Sequence, residues 1–305
     1  MRPAESLALV LLSLIWGSSF LFTKVVVAEV PPFTLVAGRL LVPAVLLFGL
    51  LRVSGYRLAA GRTVWAAMIF MGVANNVIPF SLITWAQQHI DSSLAAILVS
   101  TLPLFTAIIA HFWIGEPLTR ARTLGVLVGF AGAVTIVGAD LRNLASADTL
   151  GELAVLAGSL GYAVSTTFAR GFLRGQPPQF LAFGQMAMAA VFATPLALAV
   201  DQPLHLELGA KVALAWVALG VVNTGLAYLI FFWLVQRVTV VQISLVSYLI
   251  PVTATFLGWV VLGERLGASA LAGFALVILG VLIVNRAGLR AVSDSRVVSE
   301  PTTRA

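Results

Sequence analysis

Long apolar runs, separated by short polar connectors, follow one another along almost the whole chain. Each run has about 20 residues, the length that a helix needs to cross the roughly 30 Å hydrocarbon layer of a bilayer. Ten such runs are predicted, at 6–28, 32–51, 64–87, 93–114, 122–139, 150–170, 178–200, 211–235, 239–262 and 267–285. Because the connectors leave no room for a soluble domain, the pattern predicts an all-α polytopic membrane protein with ten transmembrane helices.

The composition agrees with a membrane protein. Hydrophobic residues make up 60% of the chain and charged residues only 10%, where a soluble domain carries roughly 25% charged residues. The absence of cysteine excludes disulfides and thiolate chemistry. We therefore expect membrane lipid and a small-molecule substrate as partners and no nucleic acid, while a homodimer stays open.

The distribution of the 18 Lys and Arg residues indicates how the chain is oriented. With the N-terminus in the cytoplasm, only Arg142, Lys211 and Arg265 fall on the outer side, which is the bias that cytoplasmic loops show. Ten crossings then place both termini in the cytoplasm. We expect a multi-pass protein of the plasma (inner) membrane. Residues 286–305 are polar and are expected to form a disordered cytoplasmic tail.

The second half of the chain repeats the first. Scarce residue types align at an offset of 148, with Asn75 on Asn223, Trp85 on Trp233, Pro103 on Pro251 and Glu116 on Glu264, while near the start of each half Arg39 falls on Gln185 at an offset of 146. The predicted domains are therefore two repeats of five helices, 6–139 and 150–285. An odd number of helices makes the second repeat enter the membrane from the opposite side, which is the inverted duplication of many secondary transporters.

One repeated unit reads PLFTAIIAHFWIGE at 103–116 and PVTATFLGWVVLGE at 251–264. Its proline is predicted to lie inside the fourth helix of each half, where a missing N–H and a ring clash kink the helix. Its glycine and glutamate end that helix. The candidates for helix kinking and gating are Pro103, Gly115, Glu116, Pro251, Gly263 and Glu264, and the glutamates are expected to brace the loops, with nearby arginines as partners.

These features together resemble the EamA family of the drug/metabolite transporter superfamily. The resemblance rests on WGSSF followed by Lys24, on Arg39, on Asn75 and on the duplicated proline-to-GE unit, and it covers residues 6–286. It implies ten helices in two repeats and the export, less often the import, of small metabolites such as amino acids.

The second half departs from the family pattern at two places. It has Tyr162 and Ala163 where the first half has a Trp-Gly pair, and it has Gln185 in place of Arg39. The roles of first-half residues are therefore not transferred to the second half by symmetry alone.

Arg39 is predicted to lie about 10 Å inside the second span, where a charge costs a few kcal/mol unless protein, water or a counter-ion faces it. Either structural polar groups or a substrate anion satisfies it. Lys24 lies near the outer end of the first span, where it either reaches the headgroups or faces a cavity. Two cations with no acid in a span's middle favour a ligand with a carboxylate and argue against a proton relay through a buried acid.

Other polar and aromatic positions could line the same cavity or could serve packing alone. The substrate-cavity candidates are Trp16, Lys24, Arg39, Asn75, Tyr162, Gln185, Asn223 and Tyr228. No HExxH, GxSxG or GK[ST] motif occurs, so we expect no catalytic residue, metal, cofactor or ATP use. The sequence predicts a secondary transporter, not an enzyme, that works by alternating access; the alternative is a lipid-handling protein or an enzyme without a recognisable motif.

Overall fold

The computed structural model describes residues 2–55, 61–138, 146–173, 176–203, 206–235, 237–238 and 240–298. Within these ranges the chain is helical and contains no β-strand. The α-helices are α1 (Pro3–Val27), α2 (Pro32–Val53), α3 (Arg62–Gly72), α4 (Ile78–Ala86), α5 (Ser92–Val99), α6 (Leu102–Ile114), α7 (Arg120–Val137), α8 (Ala147–Phe172), α9 (Pro178–Val200), α10 (Ala210–Gly220), α11 (Ala227–Val235), α12 (Val240–Leu257) and α13 (Ala268–Val298). Three π-helical segments join or extend them: the first at Val73–Val77, the second at Val221–Leu226 and the third at Gly258–Leu262.

The described part of the chain has nine helical segments that are long and apolar enough to cross a membrane. They are Pro3–Val27, Pro32–Val53, Arg62–Ala86, Ser92–Ile114, Arg120–Val137, Gln179–Val200, Ala210–Phe231, Leu245–Leu262 and Ala268–Arg286. The chain is thus a polytopic all-α membrane protein. The remaining predicted span, 150–170, corresponds to α8, which has 26 residues but is less apolar than the others. Ten crossings and the location of the termini stay predictions.

The helices of the first half pack mainly against helices of the second half. The strongest pairings are α7 with α13, α2 with α9 and α1 with α12, while α8 lies against α4 and α6. Large apolar side chains such as Leu127, Val134 and Leu271 remain exposed on the outside of this bundle, as the lipid-facing surface of a membrane protein requires. The buried interior therefore lies between the two halves.

The same packing contact occurs twice, at the offsets that relate the two halves. Gly38 of α2 lies under the ring of Trp216, where an added Cβ would come within 2.5 Å of the indole. Gly184 of α9 lies under Met68 in the same way, with a distance of 2.7 Å. In both places a glycine of the second helix of one half lets the third span of the other half approach closely.

The fourth span differs between the halves in the form of its helix around the proline. In the first half the span is divided into α5 and α6 by a break at Ser100 and Thr101, and Pro103 lies in the first turn of α6, where its missing N–H breaks no helical hydrogen bond. In the second half α12 is continuous and contains Pro251. Pro103 therefore follows a break within the span Ser92–Ile114, whereas Pro251 lies inside a continuous helix.

Both fourth spans end in the predicted way, at a glycine. Gly115 and Gly263 each have φ of 71°, a left-handed conformation that glycine adopts without strain and that terminates helices. At the chain's C-terminal end, α13 is helical as far as Val298, so it extends well into the segment 286–305 that was expected to be disordered. Residues 299–305 of that segment lie outside the described residues.

Candidate substrate-binding site

The centre of the bundle is organised by the first and second π segments. A π segment inserts an extra residue into a helix and leaves a carbonyl without its usual partner. In the first segment the Asn76 amide donates to the Met71 carbonyl at 3.3 Å, and in the second the Thr224 hydroxyl donates to the Leu219 carbonyl at 2.8 Å. Asn76 and Thr224 are 148 positions apart, so both halves place a polar side chain at the same buried point of the third span.

Arg39 reaches one of these points from α2. Its Nε donates to the Thr224 hydroxyl at 3.2 Å, its Nη1 donates to the Thr23 hydroxyl at 3.5 Å, and its guanidinium carbon lies 4.2 Å from the centroid of the Phe80 ring. The residue is only 9% exposed. In the described part of the chain no carboxylate pairs with it, so neutral groups alone surround a buried positive charge.

Gln185 reaches the other point from α9. Its Oε1 accepts a hydrogen bond from the Asn75 amide at 3.0 Å and one from the Asn76 amide at 3.3 Å. These two donors fix the orientation of the Gln185 side chain. Its Nε2 has no hydrogen bond to any described residue, so its two N–H donors remain for another acceptor.

Arg39 and Gln185 occupy corresponding positions. They align at an offset of 146, and their partners Thr224 and Asn76 align at 148. Each side chain therefore extends from the second helix of its own half to the π segment of the other half. The difference is chemical, because one member of the pair is a cation and the other a neutral amide.

The three predicted aromatic candidates lie around this pair. The Tyr228 hydroxyl donates to Asn76 Oδ1 at 3.5 Å, and the Trp16 ring meets the Tyr228 ring edge-on at 6.2 Å between centroids. The Tyr162 ring lies edge-on to Phe80, with a centroid distance of 6.4 Å. The structure thus brings Trp16, Tyr162 and Tyr228 to the same region as Arg39 and Gln185.

Asn223 is buried but directed elsewhere. Its amide nitrogen donates to the Ile15 carbonyl and to the Ser18 hydroxyl, the latter at 3.0 Å. Both partners belong to α1. The contacts of Asn223 therefore join the span Ala210–Phe231 to α1. They support the packing interpretation of this residue more than a cavity role.

Lys24 also lies apart from the Arg39 group. Its Nζ donates to the carbonyls of Gln87 and Ile90, both at 2.8 Å. These carbonyls belong to the turn that follows α4, where a helix end favours a cation. Neither of the two predicted roles, headgroup contact or substrate contact, describes this arrangement.

The two predicted gating glutamates have different partners. Glu116 pairs with Arg122 at 3.3 Å and with Arg170 at 3.6 Å, which matches the expected pairing with arginines. Glu264 instead accepts hydrogen bonds from Ser92 and Ser93. We call the end of the bundle that holds Glu264 the upper face and the end that holds Glu116 the lower face.

Several residues of this region were missed from the sequence. Thr23, Phe80 and Thr224 surround Arg39, and their types are common in any membrane helix. Asn76 follows Asn75 directly and aligns with the polar Thr224. This alignment is the sequence feature that could have identified Asn76 and Thr224 as site residues. Glu152 is only 3% exposed, so α8 does carry a buried carboxylate, near the start of the predicted span 150–170 and not in its middle.

The arrangement favours binding over catalysis. A fixed cation and oriented amide donors face aromatic rings, which suits an amphipathic anion. Within the ranges described above, no group of three His, Asp or Glu side chains could hold a metal ion.

Comparison with known proteins identifies the family of the chain. The family model described as the EamA-like transporter family matches residues 4–138 and again 149–286. One similar protein is the uncharacterized transporter YoaV of Bacillus subtilis, 24% identical over 277 residues that cover 91% of this chain and 95% of YoaV. Another is a probable terminal-alkyne amino-acid exporter of Streptantibioticus cattleyicolor, 28% identical over 300 residues and 97% of both chains.

A solved crystal structure shares the fold, with a TM-score of 0.67 and 24% sequence identity over 95% of this chain and 100% of the other. Fold and relatives define a multi-pass membrane transporter, and the relatives' names indicate transporters and not enzymes. The chain belongs to the EamA-like transporter family, as the resemblance in its sequence indicated.

Proposed function

We propose that the protein is a secondary transporter that exports a small carboxylate-bearing metabolite, such as an amino acid or a related compound, across the plasma membrane by alternating access. The observation that carries the proposal is Arg39, a buried cation without a carboxylate partner among the described residues. The amino-acid exporter among the relatives is consistent with this substrate class.

The energetics of Arg39 favour a bound anion. An arginine at the middle of a membrane costs about 2.5–3.5 kcal/mol on insertion scales. Two hydroxyls and a phenyl ring offset only part of that cost, because they carry no net charge. A substrate carboxylate would accept two parallel N–H bonds from the guanidinium and would neutralise it.

Gln185 adds a second requirement to the substrate. Because Asn75 and Asn76 both donate to its Oε1, its Nε2 is directed to any ligand as a pure donor. A ligand with a second oxygen acceptor, besides the carboxylate on Arg39, satisfies both positions. We therefore expect solutes with two acceptor groups to be transported better than simple monocarboxylates.

Ten membrane crossings and an inverted duplication complete the proposal. With 26 residues, α8 is about 39 Å long, enough to cross a bilayer. One face of α8 contacts α4 and α6, while Leu150, Leu153 and Leu160 of the same helix remain exposed, as an apolar surface toward lipid requires. The bias of basic residues supports an upper face outside the cell and a lower face in the cytoplasm.

Transport in reconstituted vesicles tests the proposal. Metabolites that accumulate in cells lacking the protein would identify solutes, and each would be compared with its decarboxylated counterpart. We expect flux of the carboxylate form only, with a reduction of about 10- to 100-fold for Arg39→Ala, as the loss of a charged hydrogen-bonding partner predicts.

Two controls separate binding from folding. Arg39→Lys keeps the charge but not the planar fork, so it should retain part of the flux, and Arg237→Ala removes an exposed arginine and should have no effect. Equal flux of the decarboxylated counterpart, or full flux in a folded Arg39→Ala protein, would contradict the proposed role of Arg39.

A further inference from the structure

At the upper face, a carboxylate of the second half is bound to a helix N-terminus of the first half. Glu264 Oε1 accepts from the Ser92 N–H at 2.8 Å, and Oε2 accepts from the Ser93 N–H at 3.0 Å. The Ser92 and Ser93 hydroxyls also donate to Oε2, at 3.1 and 2.5 Å. An anion at the first N–H groups of a helix is a favourable arrangement. We call these three residues the Glu264 clamp.

The clamp depends on a close approach at Gly258. A Cβ added at this position would lie 2.3 Å from Glu264 Oε2 and 2.3 Å from Ser93 Oγ. Gly258 begins the third π segment, directly after α12. The glycine therefore leaves the space that the carboxylate and the hydroxyl occupy.

The helix that the clamp holds, α5, also has a capping residue of its own that makes no cap hydrogen bond. Asp91 is the N-cap residue of α5, a residue type that commonly caps helices, yet its side chain makes no cap hydrogen bond. Burial of the carboxyl, and then the nearby Glu264 carboxylate, raise the pKa of Asp91 above its ordinary value. When Glu264 leaves, the Asp91 carboxylate can accept from the Ser93 N–H, the second of the helix, so that opening leaves fewer donors unpaired.

The lower face differs at each corresponding position. Glu116 pairs with arginines, and the sequence has Val240 and Val241 where the first half has Ser92 and Ser93. The residue that corresponds to Gly258 is Ala110, which carries the Cβ that the clamp cannot accommodate. A copy of the clamp at the lower face would therefore have two hydroxyl donors fewer and less space.

We propose that the Glu264 clamp holds the upper face closed in the empty protein and that the lower face has no equally strong lock. The resting transporter is then closed to the outside and accessible from the cytoplasm, where a substrate for export is found. Release of the clamp becomes a required step of each export cycle. The assignment of the upper face to the outside rests on the orientation in the proposed function.

Single cysteines can test the clamp, because the chain has none of its own. Ala254 of α12 is 1% exposed and lies one turn before Gly258, beneath the clamp. An Ala254→Cys protein in intact cells would be treated with a membrane-impermeant maleimide. We expect slow labelling with the clamp intact and labelling at least about tenfold faster with Glu264→Gln, which removes the charge and retains the size.

Glu116→Gln is the matched control, and it should change the labelling rate of Ala254→Cys by less than twofold. Ser269→Cys, an exposed position at the upper face, gives the labelling rate of a freely accessible cysteine. A Ser92→Ala, Ser93→Ala double variant keeps the backbone N–H groups and should give an intermediate rate if Glu264→Gln does not fold.

Three results would overturn the proposal: labelling of Ala254→Cys as fast as Ser269→Cys, no acceleration by either clamp variant, or equal acceleration by Glu116→Gln. Acceleration seen only when the reagent is on the cytoplasmic side would overturn the assignment of the upper face to the outside. None of these measurements needs a substrate, so a failure here is distinct from a failure to find transport.

Discussion

The two Gly-Glu turns have the same backbone and different partners. Gly115 and Gly263 share a left-handed φ of 71°, and the following N–H donates six residues back at 3.1 Å in both, from Glu116 to Ala110 and from Glu264 to Gly258. Yet Glu116 binds arginine side chains, whereas the Glu264 carboxylate binds a helix N-terminus. Local geometry has thus been retained in both halves while the side-chain contacts have diverged.

This difference has a consequence for a transporter with two states. If both faces were closed by identical contacts, the inward- and outward-open states would have similar free energies. Because a contact made in only one state shifts the equilibrium toward that state, unequal locks set which face is open at rest. The divergence of the partners, and not of the backbone, determines the resting state.

The largest effect is expected at Gly258. Gly258→Ala adds a methyl group at a position that lies 2.3 Å from both Glu264 and Ser93, so several hydrogen bonds to the Glu264 carboxylate, each worth about 1 kcal/mol, weaken together. Labelling of Ala254→Cys should accelerate at least about tenfold. The reverse change at the lower face, Ala110→Gly, should alter the rate by less than twofold, and an equal response to both changes would refute the asymmetry.

A smaller effect is expected for one hydroxyl. Ser93→Ala removes the 2.5 Å hydrogen bond to Glu264 but keeps the backbone N–H bond, so the loss should be about 1 kcal/mol and the labelling rate should increase about fivefold. Ser92→Ala removes a longer bond of 3.1 Å and should have less effect. A larger effect for Ser92→Ala would mean that the hydroxyl contacts have been ranked wrongly.

The smallest effect, of opposite sign, is expected at Asp91. Since burial and the Glu264 carboxylate raise the pKa of Asp91, a negative charge at this position opposes the clamp. Asp91→Asn removes the charge and should slow the labelling of Ala254→Cys by less than about twofold, as expected for a charge pair screened by solvent. Faster labelling would show instead that the Asp91 carboxylate stabilises the closed face.

The sequence was sufficient to predict the nine spans found in the described residues and the position of Arg39 inside a buried part of the second one. Apolar runs of membrane length and a scarce charge inside one of them are local properties, and the structure places Arg39 and Gln185 where their duplicated positions indicated. The partners of Glu264 and Lys24 were not predictable in this way. They depend on which helix ends meet after the bundle assembles, and nothing in the sequence near Glu264 refers to Ser92.

The third and fourth spans show the same limit. An apolar run has the same sequence pattern whether its helix is continuous, broken or π-helical. The pattern therefore predicted neither the break at Ser100 and Thr101 before Pro103 nor the π segment around Asn76. The alignment of Pro103 with Pro251 suggested equal kinks, because a duplicated residue type does not reveal that one copy follows a helix break. Contacts between the halves decide which of these helical forms each copy adopts.

The most direct test of the unequal locks is a pair of distance distributions from spin labels in the purified, substrate-free protein. One pair, Gln88→Cys with Ser269→Cys, spans the upper face, and the other, Arg120→Cys with Arg237→Cys, spans the lower face; all four positions are exposed. We predict a narrow upper distribution and a broad lower one, with Glu264→Gln broadening the upper distribution alone. An upper distribution that is as broad as the lower one, or that Glu264→Gln leaves unchanged, would contradict the clamp.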